Sequence, residues 1–175
     1  MNKKPNQLAL LPIYLLLLDL AFGVMLNIKE TILPNVQDIP KDGLPVSPEF
    51  AFGWLQVLVN MGMVLIISWS ILRLLFLYVK TNQYYLPRFL FSDGVAVFFV
   101  LMFSLPAWWQ WFWAIRSWLS GNNIIDWHNP RYLIVSICQV YLLWLPFALW
   151  RARKRASITP KDETPFLFST TDDIS

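Results

Sequence analysis

Long runs of apolar side chains alternate along the chain with shorter polar, proline-rich or basic links. The runs cover residues 8–26, 51–79, 89–113 and 132–150. Each approaches or exceeds the ~20 residues with which a helix crosses the hydrocarbon core of a bilayer. The pattern predicts an all-α fold, a four-helix transmembrane bundle running up-down-up-down, with residues 1–155 as its single domain. The link over residues 80–88 is short, which forces the second and third spans to be antiparallel neighbours. Residues 27–50 make the first outer loop. There Pro34, Pro40, Pro45 and Pro48 with Gly43 oppose a regular helix and predict an irregular cap. The second outer loop, residues 114–131, holds the turn signal Gly121-Asn122-Asn123 and then Asp126-Trp127-His128-Asn129-Pro130. Residues 156–175 are polar, with Pro160 and Pro165, and read as a disordered tail.

Composition agrees with lipid as the solvent. Apolar residues make up 57% of the chain and charged ones 14%, against ~25% charged in soluble domains. The placement of cations matters more than their sum. Lys3, Lys4, Arg73, Lys80, Arg88, Arg151, Arg153, Lys154, Arg155 and Lys161 fall at one end of the spans, and only Lys29, Lys41, Arg116 and Arg131 at the other. Positive residues stay on the inner side, which predicts cytoplasmic termini. A cleaved signal peptide is the alternative for the first span, with Lys3 and Lys4 ahead of the run and the small-x-small pattern Ala21-Phe22-Gly23. The length of the run and the carboxylate of Asp19 inside it argue for a retained helix.

Polar groups within the spans stand out, because a charge at membrane depth costs ~2.5–3.5 kcal/mol even on insertion scales. Arg73 and Asp93 lie at similar depths from the short link, so a salt bridge can staple the hairpin of the second and third spans. The alternative has Arg73 reaching to lipid phosphates and Asp93 capping its helix. Asp19 falls near the middle of the first span. Asn60, Gln139 and Tyr141 lie at overlapping depths, so the four predict an intramembrane polar network that fixes helix register. A protonatable carboxylate in a carrier cavity is the other reading of Asp19. Trp108, Trp109, Trp111, Trp113, Trp118 and Trp127 crowd the outer end of the third span and its loop. Indole favours the headgroup level, so an interfacial belt explains them; a surface for a lipid, quinone or partner helix is the alternative. Pro106 just before the cluster can kink the third helix. Arg151, Arg153, Lys154 and Arg155 directly after a span read as an anchor for anionic headgroups rather than for nucleic acid.

Counting sets other chemistries aside. One His, His128, and one Cys, Cys138, cannot supply clustered metal ligands, so no metal and no cofactor is expected. Cys138 reads as a small apolar packing residue. No phosphate loop, nucleophile elbow or zinc-protease helix occurs, and no catalytic residue is assigned. Asp126 and His128 read as ordinary interfacial polar groups, with an acid–base pair as the alternative. Phe166-Leu167-Phe168 is a candidate docking peptide.

Several segments carry a resemblance. The second span enters near Phe52-Gly53-Trp54 and carries Asn60. A basic turn then leads into Tyr85-Leu86-Pro87-Arg88-Phe89. The closing Trp144-Leu145-Pro146-Phe147 is followed by Arg151-Ala152-Arg153-Lys154-Arg155. Over residues 50–156 this order resembles the YdgK-like bacterial inner-membrane proteins, four-helix chains of unknown function. At the start the chain departs from that pattern, with Leu10-Leu11-Pro12 in place of a Gly-Gly-Trp opening. The resemblance implies four spans in a bacterial inner membrane and brings no reaction with it. The expected role is a non-catalytic accessory or scaffolding subunit, in contact with membrane lipids and with a membrane-protein partner or a second copy. A small proton-coupled carrier using Asp19 is the first alternative, and a membrane-embedded enzyme acting on lipid or quinone the second.

Overall fold

The computed structural model describes residues 7–35, 48–81, 89–122 and 128–158. They form five helices: α1 (Gln7–Asn35), α2 (Pro48–Thr81), α3 (Phe91–Leu119), α4 (Pro130–Leu142) and α5 (Trp144–Ile158). The fold is all-α, a four-helix bundle in which α4 and α5 are two halves of the last apolar stretch. Four helical segments are long and apolar enough to cross a membrane: Gln7–Glu30, Ala51–Thr81, Phe91–Leu119 and Pro130–Arg155. Their 24 to 31 residues extend roughly 36–46 Å at 1.5 Å per residue, beyond the ~30 Å of a hydrocarbon core.

The helices overrun the apolar runs that announce them. α1 continues through Pro34 to Asn35 and α2 begins at Pro48, so residues 27–35 and 48–50 of the expected irregular cap are helical, and its middle lies outside the described residues. Proline at the first helical position loses nothing, since that N–H has no partner in any helix, and near a C-terminus it removes a single bond. The second loop narrows likewise, because α3 runs on to Leu119. Its end is a Schellman motif: Gly121 takes φ +84°, and Asn122 N–H and Gly121 N–H donate to the Ser117 and Trp118 carbonyls. α4 opens with Pro130 behind Asn129, whose side chain accepts the Tyr132 N–H at 3.2 Å. Residues 151–158 are helical in α5, which moves the start of the expected tail; residues 159–175 are outside the described residues. Alanine, arginine and lysine are good helix formers, so loss of hydrophobicity alone does not end the helix.

Neighbouring helices follow one another around a ring, with α1 against α2 and α4, and α3 against α2 and α4. The break at Leu143 changes the last partner. Pro146 offers no N–H to the Leu142 carbonyl, and the Leu143 N–H turns to the Val140 carbonyl at 3.3 Å. Beyond this break α5 packs against α2, the helix diagonal to α4.

That diagonal crossing decides where the core lies. One end of the bundle holds the start of α1, the link between α2 and α3, and α5; it is called here the basic end, and the opposite one the aromatic end. Leu10, Ile13 and Leu16 of α1 are buried with Ile71 and Leu74 of α2, Val100 of α3, Leu142 of α4 and Leu145 and Leu149 of α5. Nearly all of these lie in the basic half. Towards the aromatic end, no residue of 21–30 in α1, of 51–69 in α2 or of 108–119 in α3 is buried by the rest of the chain. Truncating a packed side chain in lipid forfeits contacts but little transfer energy, since lipid tails are as apolar as the core. Ile71→Ala is therefore expected to destabilise by roughly 1–3 kcal/mol, and Leu65→Ala by under ~0.5 kcal/mol, as read from unfolding in mixed micelles.

Candidate functional site

Among the described residues, two ion pairs tie the bundle across different helix pairs, and their surroundings differ. Arg73 of α2 donates through Nε to Asp93 Oδ1 of α3 at 2.6 Å, and the Asp93 side chain is 1% exposed. The second carboxylate oxygen accepts the Leu90 N–H at 2.8 Å, one turn ahead on the same chain. Asp93 thus satisfies a free donor at the start of α3 while it neutralises Arg73. The salt bridge and the cap, alternatives at the level of sequence, are held by one side chain. Trp69 lies against the Arg73 guanidinium, 5.7 Å from ring centre to charge.

The other pair joins Arg131, in the first turn of α4, to Asp19 of α1, with Nε 2.9 Å from Oδ1. It is open, the two side chains being 53% and 25% exposed. Nearer the basic end, the Tyr141 hydroxyl donates to the Ala9 carbonyl at 2.8 Å. The ten-residue step from Ala9 to Asp19 matches the step back from Tyr141 to Arg131, so both contacts belong to one antiparallel register of α1 and α4.

This register corrects the expected network of Asp19, Asn60, Gln139 and Tyr141. Asp19 lies opposite the start of the fourth span, where Arg131 reaches it. Among the described residues, no hydrogen bond joins it to Asn60, Gln139 or Tyr141. Depth along each helix is not position around it. Tyr141 spends its hydroxyl on α1 backbone, Gln139 is half-buried, and Asn60 faces out from α2. The residue that sequence reasoning missed is Arg131. Its signal was its place at the first turn of a span, one turn inside which a carboxylate of a neighbouring antiparallel helix can be reached.

At the aromatic end, Trp108, Trp109, Trp113 and Trp118 are exposed and Trp111 is half-buried; Trp127 and Asp126 lie outside the described residues. Trp109 stacks on Phe112 and meets Trp113 edge to face. α3 runs unbroken through Pro106, and a groove of about 380 Å³ between Met102, Leu105, Pro106, Trp108 and Trp109 opens on its outer face. Tyr132 donates to Gln110 at 3.0 Å, tying α4 to α3 within the cluster. His128 is exposed.

At the basic end, Arg151, Lys154 and Arg155 are exposed and Arg153 is half-buried. The Arg153 guanidinium lies 4.2 Å from the centre of the Phe89 ring. Cys138 is buried with a free thiol. Among the described residues no three His, Cys, Asp or Glu side chains stand close enough to share a metal ion.

Opening a buried ion pair strands a charge, whereas Asp19→Asn removes the carboxylate and leaves Arg131, 53% exposed at the first turn of its span, free to turn to the headgroups. Asp93→Ala is expected to cost about 3–5 kcal/mol and Asp19→Asn at most ~1 kcal/mol. Mixed-micelle unfolding of the two variants and of their Arg73→Leu and Arg131→Leu partners, combined as double-mutant cycles, measures both couplings. The chain matches no family model, no curated protein and no solved structure, so the arrangement of its own residues is what bears on function.

Proposed function

We propose that the chain is a non-catalytic subunit of a larger assembly in a bacterial inner membrane, with both termini cytoplasmic, whose aromatic end is completed by helices of another protein. The observation that carries the proposal is the bare aromatic half of α1, α2 and α3, with Asn60 exposed upon it. Asn60 lies nine residues past Ala51, where the second span begins, roughly 14 Å along the helix axis. A side-chain amide at that depth has no water to bond, and a polar group on a second helix is its natural partner. Around it, a Cβ added at Gly53 or Gly62 would meet nothing within 4 Å, so an incoming helix can approach the α2 backbone closely.

The pairing of Asp19 with Arg131 weighs against a carrier. The pair gives Asp19 a sufficient role in holding α1 to α4. The inner-membrane setting follows the resemblance to YdgK-like proteins, and the orientation follows the lysine and arginine bias.

Photo-crosslinking residues placed at Asn60 and Trp109 in the membrane-embedded chain are expected to give one stoichiometric adduct of constant mass, while a probe at Phe76, on the basic half, gives lipid alone. Asn60→Leu is expected to reduce that adduct several-fold. Adducts only to lipid at all three positions would contradict the proposal. So would an adduct only to a second copy of the chain, which would make the assembly a homo-oligomer.

A further inference from the structure

Charge does not balance where α2, α3 and α5 meet at the basic end. Asp93 is the one carboxylate among the described residues of this junction, and both its oxygens are engaged, by Arg73 and by the Leu90 N–H. Arg153 lies within reach of its field but makes no bond to it. The Nε and one Nη of Arg153 are shielded from solvent, and among the described residues neither has a hydrogen-bond acceptor. Phe89 lies against the guanidinium, 4.2 Å from ring centre to charge, and the covered Nε and Nη are donors still in want of an acceptor. Among the described residues, two guanidiniums, one carboxylate and the positive end of α3 leave between one and two positive charges uncompensated, roughly +1.5.

An apolar groove of about 490 Å³, lined by Phe89, Leu90, Phe91, Gly94, Val95 and Phe98, adjoins this contact. Phe89 belongs to both features: its ring lies against the Arg153 guanidinium and lines the groove. The groove follows α3 towards the centre of its span, the direction in which an acyl chain enters a bilayer.

We infer that this junction is a binding site for one anionic glycerophospholipid, with the phosphodiester on Arg153 and one acyl chain along the groove from Phe89 to Phe98. A single phosphodiester supplies one negative charge and acceptor oxygens that match the guanidinium donors. A basic pocket between membrane helices selects such headgroups over zwitterionic ones. A free phosphate would satisfy the charge and leave the groove unused, so the adjoining apolar surface selects the lipid. The site requires the chain to lie in a membrane and is independent of any protein partner at the aromatic end.

Native mass spectrometry of the full chain in mild detergent tests the site, with added phosphatidylglycerol or phosphatidylcholine of matched acyl chains. One phosphatidylglycerol is expected to be retained in about tenfold preference, the worth of one charge-assisted hydrogen bond. Arg153→Gln should remove that preference and Lys80→Gln, an equal loss of charge at an exposed position of the same end, should keep it. Val95→Trp, which fills the groove and leaves the ion pair alone, should weaken retention several-fold and serves as the test if Arg153→Gln does not fold. Equal retention of the two lipids, equal loss in Lys80→Gln and Arg153→Gln, full retention in Val95→Trp, or displacement by millimolar inorganic phosphate would each overturn the inference.

Discussion

A charge that enters the apolar part of this bundle has no water to turn to, and compensation of the guanidinium and carboxylate groups governs how the helices meet. Asp93 is the clearest instance. Its carboxylate is enclosed, one oxygen on Arg73 and the other on the start of α3, so the α2–α3 hairpin has a single register in which neither group is stranded. The cost of breaking such a pair far exceeds the worth of an exposed one, which makes it a device for alignment. Asp19 and Arg131 set the α1–α4 register in the same manner, at a more open place and with a weaker hold.

Around those two registers the proline of the last span distributes the packing. Without the break at Leu143, α4 and α5 would continue as one rod between α1 and α3. With it, α5 leans across to α2, and Leu142, Leu145 and Leu149 fill the basic half of the bundle. The same bend leaves the aromatic half without a central helix to pack on. The closed end lies where α5 meets α2, and the open end is where Asn60 and the tryptophans of α3 lie.

Much of this was legible in the sequence. Run length fixed four spans, the short basic link fixed the α2–α3 hairpin, and equal depth brought Arg73 and Asp93 together as a candidate pair. What depth cannot give is azimuth. Gln139 and Tyr141 are grouped with Asp19 by depth counted from the ends of the apolar runs, yet the register sets Asp19 level with Arg131 and Tyr141 level with Ala9; Asn60 faces out from α2, a direction set by helix rotation, which the nearly uniform apolarity of these spans leaves unmarked. In a soluble helix a polar face reveals rotation; in these spans lipid-facing and core-facing residues are equally apolar. The helix ends were misplaced for a related reason, since Pro48 and the arginine-rich turn of α5 are compatible with helix although they end the apolar run.

The placement of Arg153 joins the two ends of the argument. It lies on the helix that the Pro146 break sends across the bundle, beside the pair that fixes the hairpin, and its unmatched donors follow from that convergence. The account as a whole depends on lipid being the medium of the exposed apolar faces. Spin labels scanned along α2 in liposomes test this most directly. Labels at Leu58, Leu65 and Leu72 should relax strongly with oxygen and weakly with a water-soluble nickel chelate, and labels at Ile71 and Leu74 should respond little to either. Strong relaxation by the chelate along the whole helix would contradict it.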